Sequence, residues 1–128
     1  MRLLLDTCTF LWIAEASPRL SARAADLSGD PANEVYLSAV TVWEVANKYQ
    51  LGKLRLPARP SKFVPEARAR LGFAPLPLSE RVAAALEALP RHHRDPCDRL
   101  LVCHALVNGL TILTPDPEIR RYPVATEW

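Results

Sequence analysis

The chain has 128 residues, 49% of them hydrophobic and 23% charged, enough for one domain with a real core and too few for two comfortable ones. That balance excludes a disordered chain, and no run approaches the roughly 20 apolar residues of a membrane span. A net charge of +2 is too small to argue for nucleic acid by itself.

Cys8, Cys97 and Cys103 have no paired spacing and no signal peptide is recognisable, so three reduced, buried or half-buried thiols in a cytoplasmic protein are expected. Residues 2–5 read as a strand ending on Asp6, and a helix follows over about 8–15. "SPRLSARAADLSGDP" (17–31) holds a second short helix between turn signals. "EVYLS" (34–38) alternates as a strand and leads into "AVTVWEVANKYQLGKL", a helix with Val42, Val45, Ala46 and Tyr49 on its apolar side and Gly52 as C-cap. "SKFVPEARARLG" is a helix closed by Gly72, and the prolines of "FAPLPL" allow only a poor, edge-like strand.

Ser79 caps a helix over 79–89. "DPCDRLLVCHALVNG" carries the clearest helix signals, with Asp95 as N-cap, Pro96 at the first helical position and Gly109 at the end. "LTILT" (110–114) is a buried strand, and a last short strand falls near Val124. Strands alternating with helices predict a three-layer α/β domain around a mainly parallel sheet.

Four acids stand at element boundaries. Asp6 ends the first strand, Glu44 lies in the first turns of the helix after the second, Asp98 lies in the first turn of the helix before "LTILT", and Asp116 follows that strand by two residues. Each has a local explanation. Asp6 can cap the next helix, Thr41 and Glu44 fit a capping box, Asp98 suits the positive end of a helix dipole, and Asp116 before Pro117 suits a turn. A parallel sheet nevertheless brings strand C-termini and crossover-helix N-termini to one edge, where ligands bind. Four converging carboxylates repel one another unless a cation neutralises them. Oxygen ligands without thiolate or imidazole suit Mg²⁺ or Mn²⁺.

Setting Asp6, Glu44, Asp95, Asp98 and Asp116 aside leaves nine acids against sixteen Lys and Arg, a basic exterior of about +7. Such a rim around a metal-filled acidic pocket suits a phosphodiester substrate. Lys53, Arg55 and Arg59 on "LGKLRLPARP" form a candidate phosphate-contact patch, or a solvated loop.

Taken together, "LLLDTCTFLW", "NEVYLSAVTVWEVANKYQLGKL", "LPRHHRDPCDRLLVCHAL" and "LTILTPD" resemble, in order and at these separations, the motifs of PIN-domain ribonucleases of the VapC type. These are the toxin halves of toxin–antitoxin pairs. The resemblance implies a PIN-like α/β/α fold forming a single domain over residues 1–128. It also implies a Mg²⁺-dependent endoribonuclease, with Mn²⁺ as a substitute, acting in the cytoplasm. The partners implied are an RNA substrate, a VapB-type antitoxin and a second copy in a homodimer, with no membrane.

By the same resemblance Asp6, Asp98 and Asp116 are metal ligands, and Glu44 completes the catalytic acids. Thr7 and Thr114 hold Asp6 and Asp116 in place, and Asp95 serves mainly as N-cap beside the site. Arg99 contacts phosphate, a neighbouring acid or only solvent. Hydrolysis by water would leave a 5′-phosphate and a 3′-hydroxyl. Many relatives of this subgroup carry His where this chain has Cys8, and that position is expected at the site's periphery.

His92 and His93 are read as exposed loop residues near the rim, within reach of RNA. A zinc site built from "HHRDPCDRLLVCH" matches none of the usual ligand spacings. Trp12 and Trp43 are read as core, with a dimer or antitoxin contact as the alternative. A receiver-like domain lacks its late-strand lysine, and a haloacid-dehalogenase-like phosphatase would want an acid where Cys8 stands. The alternative function is a catalytically silent PIN fold that binds RNA or protein.

Overall fold

A computed structural model describes residues 1–128. Its strands are β1 (Arg2–Leu5), β2 (Glu34–Ser38), β3 (Ala74–Leu76), β4 (Thr111–Leu113) and β5 (Thr126–Glu127). The helices are α1 (Thr7–Ala14), α2 (Ala22–Gly29), α3 (Ala39–Gln50), α4 (Pro60–Leu71), α5 (Glu80–Ala84) and α6 (Pro96–Asn108). The strands form one sheet in the order β3-β2-β1-β4-β5, and every pairing is parallel. β1 pairs with β2 on one side and with β4 on the other. The strand order therefore reverses direction at β1/β4, where an open α/β sheet leaves a crevice at its C-terminal edge.

Alternation within β1 makes two cores. Leu4 faces one with Ile112, Leu101, Val102 and Tyr122, while Leu3 and Leu5 face the other with Leu37, Phe10, Val64 and Leu113. Because side chains of a strand alternate sides, both faces must be covered, and helices cover both. α3 serves both cores, through Val40 in one and Val45 in the other. The proline-bearing β3 is an edge strand, as its missing donors require.

Several local expectations need correction. Ser38, not Thr41, caps α3: its hydroxyl accepts from the Val40 N–H at 2.9 Å, so no capping box forms with Glu44. The inward face of α3 is Val40, Thr41, Glu44 and Val45, whereas Ala46 and Tyr49 are exposed. Helix 79–89 is α5 followed by a 3-10 turn at Ala85–Ala88. The last strand sits at Thr126–Glu127, two residues beyond the expected Val124. Gly72 and Gly109 take positive φ, 74° and 65°, and close α4 and α6 as their positions promised.

Candidate active site

Asp6 follows β1 directly and is 5% exposed. It is both a cap and something more. Oδ1 accepts from the Thr9 N–H at 2.8 Å, which caps α1, while Oδ2 accepts from the Thr114 hydroxyl just past β4. Burial raises its pKa, the Thr114 and Thr9 hydrogen bonds oppose that, and the Asp116 charge adds to it. Thr114 also takes the Asp116 N–H at 3.1 Å. Asp116 closes its own turn by accepting from the Glu118 N–H at 2.8 Å. One hydroxyl thus couples the ends of β1 and β4.

Glu44 points inward from the second turn of α3 and is 8% exposed. Oε1 accepts from the Thr7 hydroxyl at 2.6 Å, and Oε2 pairs with Lys48 Nζ at 2.8 Å. Thr7 therefore steadies Glu44 rather than Asp6 or Asp116. Lys48 was missed in the sequence, although Glu–Lys at i,i+4 is the helix spacing for such a pair.

Asp95 caps α6 by accepting from the Asp98 N–H at 3.0 Å, with Pro96 behind it. That cap turns Asp98 toward the other acids. Burial pushes Asp98 up to about 7, with the Asp95 charge next and Asp116 and Glu44 adding, against a hydrogen bond from His93. His93 is accordingly not a free rim residue. Its Nε2 lies 3.3 Å from Asp98 Oδ2 and its Nδ1 lies 2.8 Å from the Tyr122 hydroxyl. When Asp98 is ionised it only accepts, and then Nε2–H donates to Asp98 and Tyr122 donates to Nδ1. Tyr122 is 29 residues away in sequence, and no local pattern announces the contact.

Asp6, Glu44, Asp95, Asp98 and Asp116 all line one cavity of about 370 Å³, together with Thr7, Cys8, Trp12 and Lys48. Cys8 is exposed and lines the cavity itself, not its periphery; burial and the neighbouring carboxylates raise its thiol pKa. Trp12 also lines it, packed edge-on against Trp128 at 5.8 Å. Trp43 is 60% exposed, which overturns its reading as core. Lys53 and Arg55 are exposed between α3 and α4, and neither lines the acid cavity. Arg99 turns back on its own loop, donating to the His93 carbonyl at 3.3 Å and the Leu89 carbonyl at 3.5 Å.

The profile of the PIN domain family matches residues 3–125. The chain belongs to the PIN domain family. It is 34% identical over 127 residues to Ribonuclease VapC16 of Mycobacterium tuberculosis, covering 93% of this chain and 86% of that protein. FitAcB from Neisseria gonorrhoeae matches with a TM-score of 0.63 at 26% identity, over 97% of this chain and 95% of that one. VapBC2 from Rickettsia felis, solved bound to a DNA fragment from their promoter, gives a TM-score of 0.74 over 99% of this chain and 98% of that one. At 16% identity that last likeness is one of fold.

The PIN cavity can be tested for a cation by its donors. Its charged wall is five carboxylates against the single ammonium of Lys48, with the Cys8 thiol beside them. Hard oxygen donors of this kind suit Mg²⁺ or Mn²⁺, and a cation would offset both the burial and the like-charge repulsion that raise Asp98. No three His, Cys, Asp or Glu side chains are already arranged to hold a metal ion, so the carboxylates would have to close up around one. No helix of this PIN chain is long and apolar enough to cross a membrane.

Proposed function

We propose that this PIN chain is a metal-dependent endoribonuclease of the VapC type, the toxin of a pair with a VapB-type antitoxin. The observation that carries the reading is the convergence of Asp6, Glu44, Asp98 and Asp116, from four separate elements, on one cavity at the sheet's C-terminal edge. A pair of the VapBC kind is supported by the structural neighbours, which include VapBC2 and FitAcB.

In this reading Asp6, Asp98 and Asp116 hold Mg²⁺, or Mn²⁺ in its place. When bound, the ion supplies charge neutralisation at the scissile phosphate and acidifies a water. The protein's own groups do the rest. Thr114 and the Thr9 N–H fix both oxygens of Asp6, so this acid is held at one orientation before any ligand arrives. His93 fixes Asp98 Oδ2 and leaves Oδ1 to face the ligand. Glu44, held by Thr7 and Lys48, orients the attacking water and accepts its proton. The resemblance to VapC-type nucleases implies products with a 5′-phosphate and a 3′-hydroxyl: water attacks without the 2′-hydroxyl, the P–O3′ bond breaks, and the departing 3′-oxygen takes a proton from water.

The test separates cap from chemistry. Asn is as good an N-cap as Asp, so Asp6→Asn keeps the start of α1 while removing the charge. Purified wild-type protein should cut total cellular RNA into discrete fragments with Mg²⁺ or Mn²⁺ and not with EDTA, and Asp6→Asn should not cut. If both proteins are folded and inert under every metal, the cluster is structural and the chain is a silent RNA- or protein-binding PIN fold.

A further inference from the structure

A second concavity adjoins the acid cavity, and the proposed chemistry does not use it. It encloses about 880 Å³, near the upper end of the roughly 300–1,000 Å³ typical of ligand sites. Its charged wall is Arg91, His92, His93 and Arg94 from the segment before α6, with Arg99 from the helix itself. Glu87 is the one acid in the lining, so three guanidinium groups outweigh it by two charges even with both imidazoles neutral. Leu86 and Leu89 supply an apolar floor.

The segment is pinned from several sides. Arg99 donates to the His93 and Leu89 carbonyls, and Arg121 donates to the His92 carbonyl at 2.7 Å. Both imidazole rings pack on Tyr122, His92 edge-on at 4.8 Å and His93 tilted at 5.4 Å. What this scaffold holds outward is Arg91 and Arg94, both exposed and neither in an ion pair. The two cavities share a wall, because the His93 ring lines the basic one while its Nε2 meets Asp98 of the acidic one.

We propose that the basic concavity is a backbone groove for single-stranded RNA, seating nucleotides that flank the phosphate at the acid cavity; it rests on the ribonuclease reading above. A strand passing over His93 places phosphates against Arg91 and Arg94, and the half-exposed Leu86 and His92 accept bases without selecting their sequence. RNA is the favoured occupant because the basic concavity adjoins the cavity in which the ribonuclease reading seats the scissile phosphate, so one strand can run through both. An acidic peptide is the competing outcome of the test.

The experiment measures binding, not turnover. A fluorescein-labelled single-stranded RNA oligonucleotide is titrated with the full chain in EDTA, between about 50 and 200 mM salt. Three proteins are compared: wild type, Arg91→Gln/Arg94→Gln, and the charge-matched control Arg19→Gln/Lys62→Gln, whose sites are exposed and lie outside both cavities.

The groove predicts about tenfold or greater loss at low salt for the Arg91/Arg94 pair, and a log–log salt slope shallower by about 1.4, two phosphates at roughly 0.7 each for single strands. The control should change less than about twofold, as distant exposed charges do when screened. Equal losses in both pairs, or none in either, overturn the proposal. The same titration with fluorescein-labelled polyglutamate is the peptide arm: polyglutamate binding lost in Arg91→Gln/Arg94→Gln with RNA binding intact also overturns the proposal and makes the patch a protein contact. Melting curves of all three proteins check that each is folded. The two readings fail separately: cleavage without the binding contrast retires the groove, and the contrast without cleavage under any metal retires the nuclease.

Discussion

Helix α6 carries the buried His104 and, six residues earlier, the half-buried Asp98, and they live under opposite rules. His104 is fully buried in a closed circuit: its Nε2–H donates to the Pro77 carbonyl at 3.3 Å, and its Nδ1 accepts from the Ser38 hydroxyl at 2.9 Å, which in turn caps α3. Every polar atom there has a partner. Asp98, one and a half turns earlier, is left among Asp95, Asp116 and Glu44 with a single imidazole for company. A satisfied network adds rigidity, while an unsatisfied one waits for a ligand. A satisfied polar group and an unneutralised one thus stand within two turns of each other on a single helix.

The sharpest way to break that contrast is Asp98→Asn. It should abolish cleavage, well past the roughly 10–100-fold that loss of an outer partner costs, and abolish Mn²⁺ binding measured by calorimetry. The same change should raise the melting temperature of the metal-free protein at neutral pH, because it deletes a charge the fold disfavours. If Asp98→Asn lowers that melting temperature, the site is not strained and the contrast fails. Thr114→Val should come next, costing about 10–100-fold in activity by freeing Asp6 Oδ2, with a smaller effect on folding.

On the satisfied side, His104→Ala should cost about 2–4 kcal/mol in urea unfolding, since it opens a void and orphans the Ser38 hydroxyl and the Pro77 carbonyl. Activity per folded molecule should survive.

The two groups also have opposite pH signatures in the metal-free protein. Burial lowers the His104 pKa, so the folded state binds fewer protons than the unfolded one, and stability is lost as pH falls below about 6.5 and through the folded value. Burial and like charge raise Asp98 to about 7, so the folded state binds more protons, and stability is lost as pH rises from the ordinary carboxylate range toward about 7. Melts in EDTA across pH should show the loss on raising pH toward about 7 shrink in Asp98→Asn, Asp6 supplying the rest, and the acid-side loss shrink in His104→Ala. The smallest effect belongs to Trp43→Ser. At 60% exposure it should move stability by no more than about 0.5 kcal/mol, and a change in oligomeric state on a sizing column would show what the indole is for.

How much of this was legible beforehand depends on whether the signal was local. The caps Asp95 and Ser79, the C-terminal glycines 72 and 109 and the edge character of "FAPLPL" could be read because each is settled within a few residues. The acid edge could be read because a parallel sheet leaves strand ends only one side to share. What escaped was tertiary. Ser38 looked like the end of a strand, so its capping role went to Thr41. Trp43 sits between inward-facing Thr41 and Glu44 and turns out with Ala46, an error of one position on a helix that advances about 100° per residue. Thr7 was assigned to the wrong acid because Glu44 lies 37 residues away. Lys48 was legible and overlooked.

The hydrogen bond between Thr114 and Asp6 spans 108 residues, and it has a consequence in time. A chain made from its N-terminus at roughly 5–20 residues per second exposes Asp6 early, yet Asp6 has only half its support until β4 has been made and has docked beside β1. Asp98 and Asp116 arrive equally late. A nascent or prematurely ended chain therefore carries the first acid of the site without its complement. Whatever this site does to its substrate begins only once Asp116 has been made and β4 has docked beside β1.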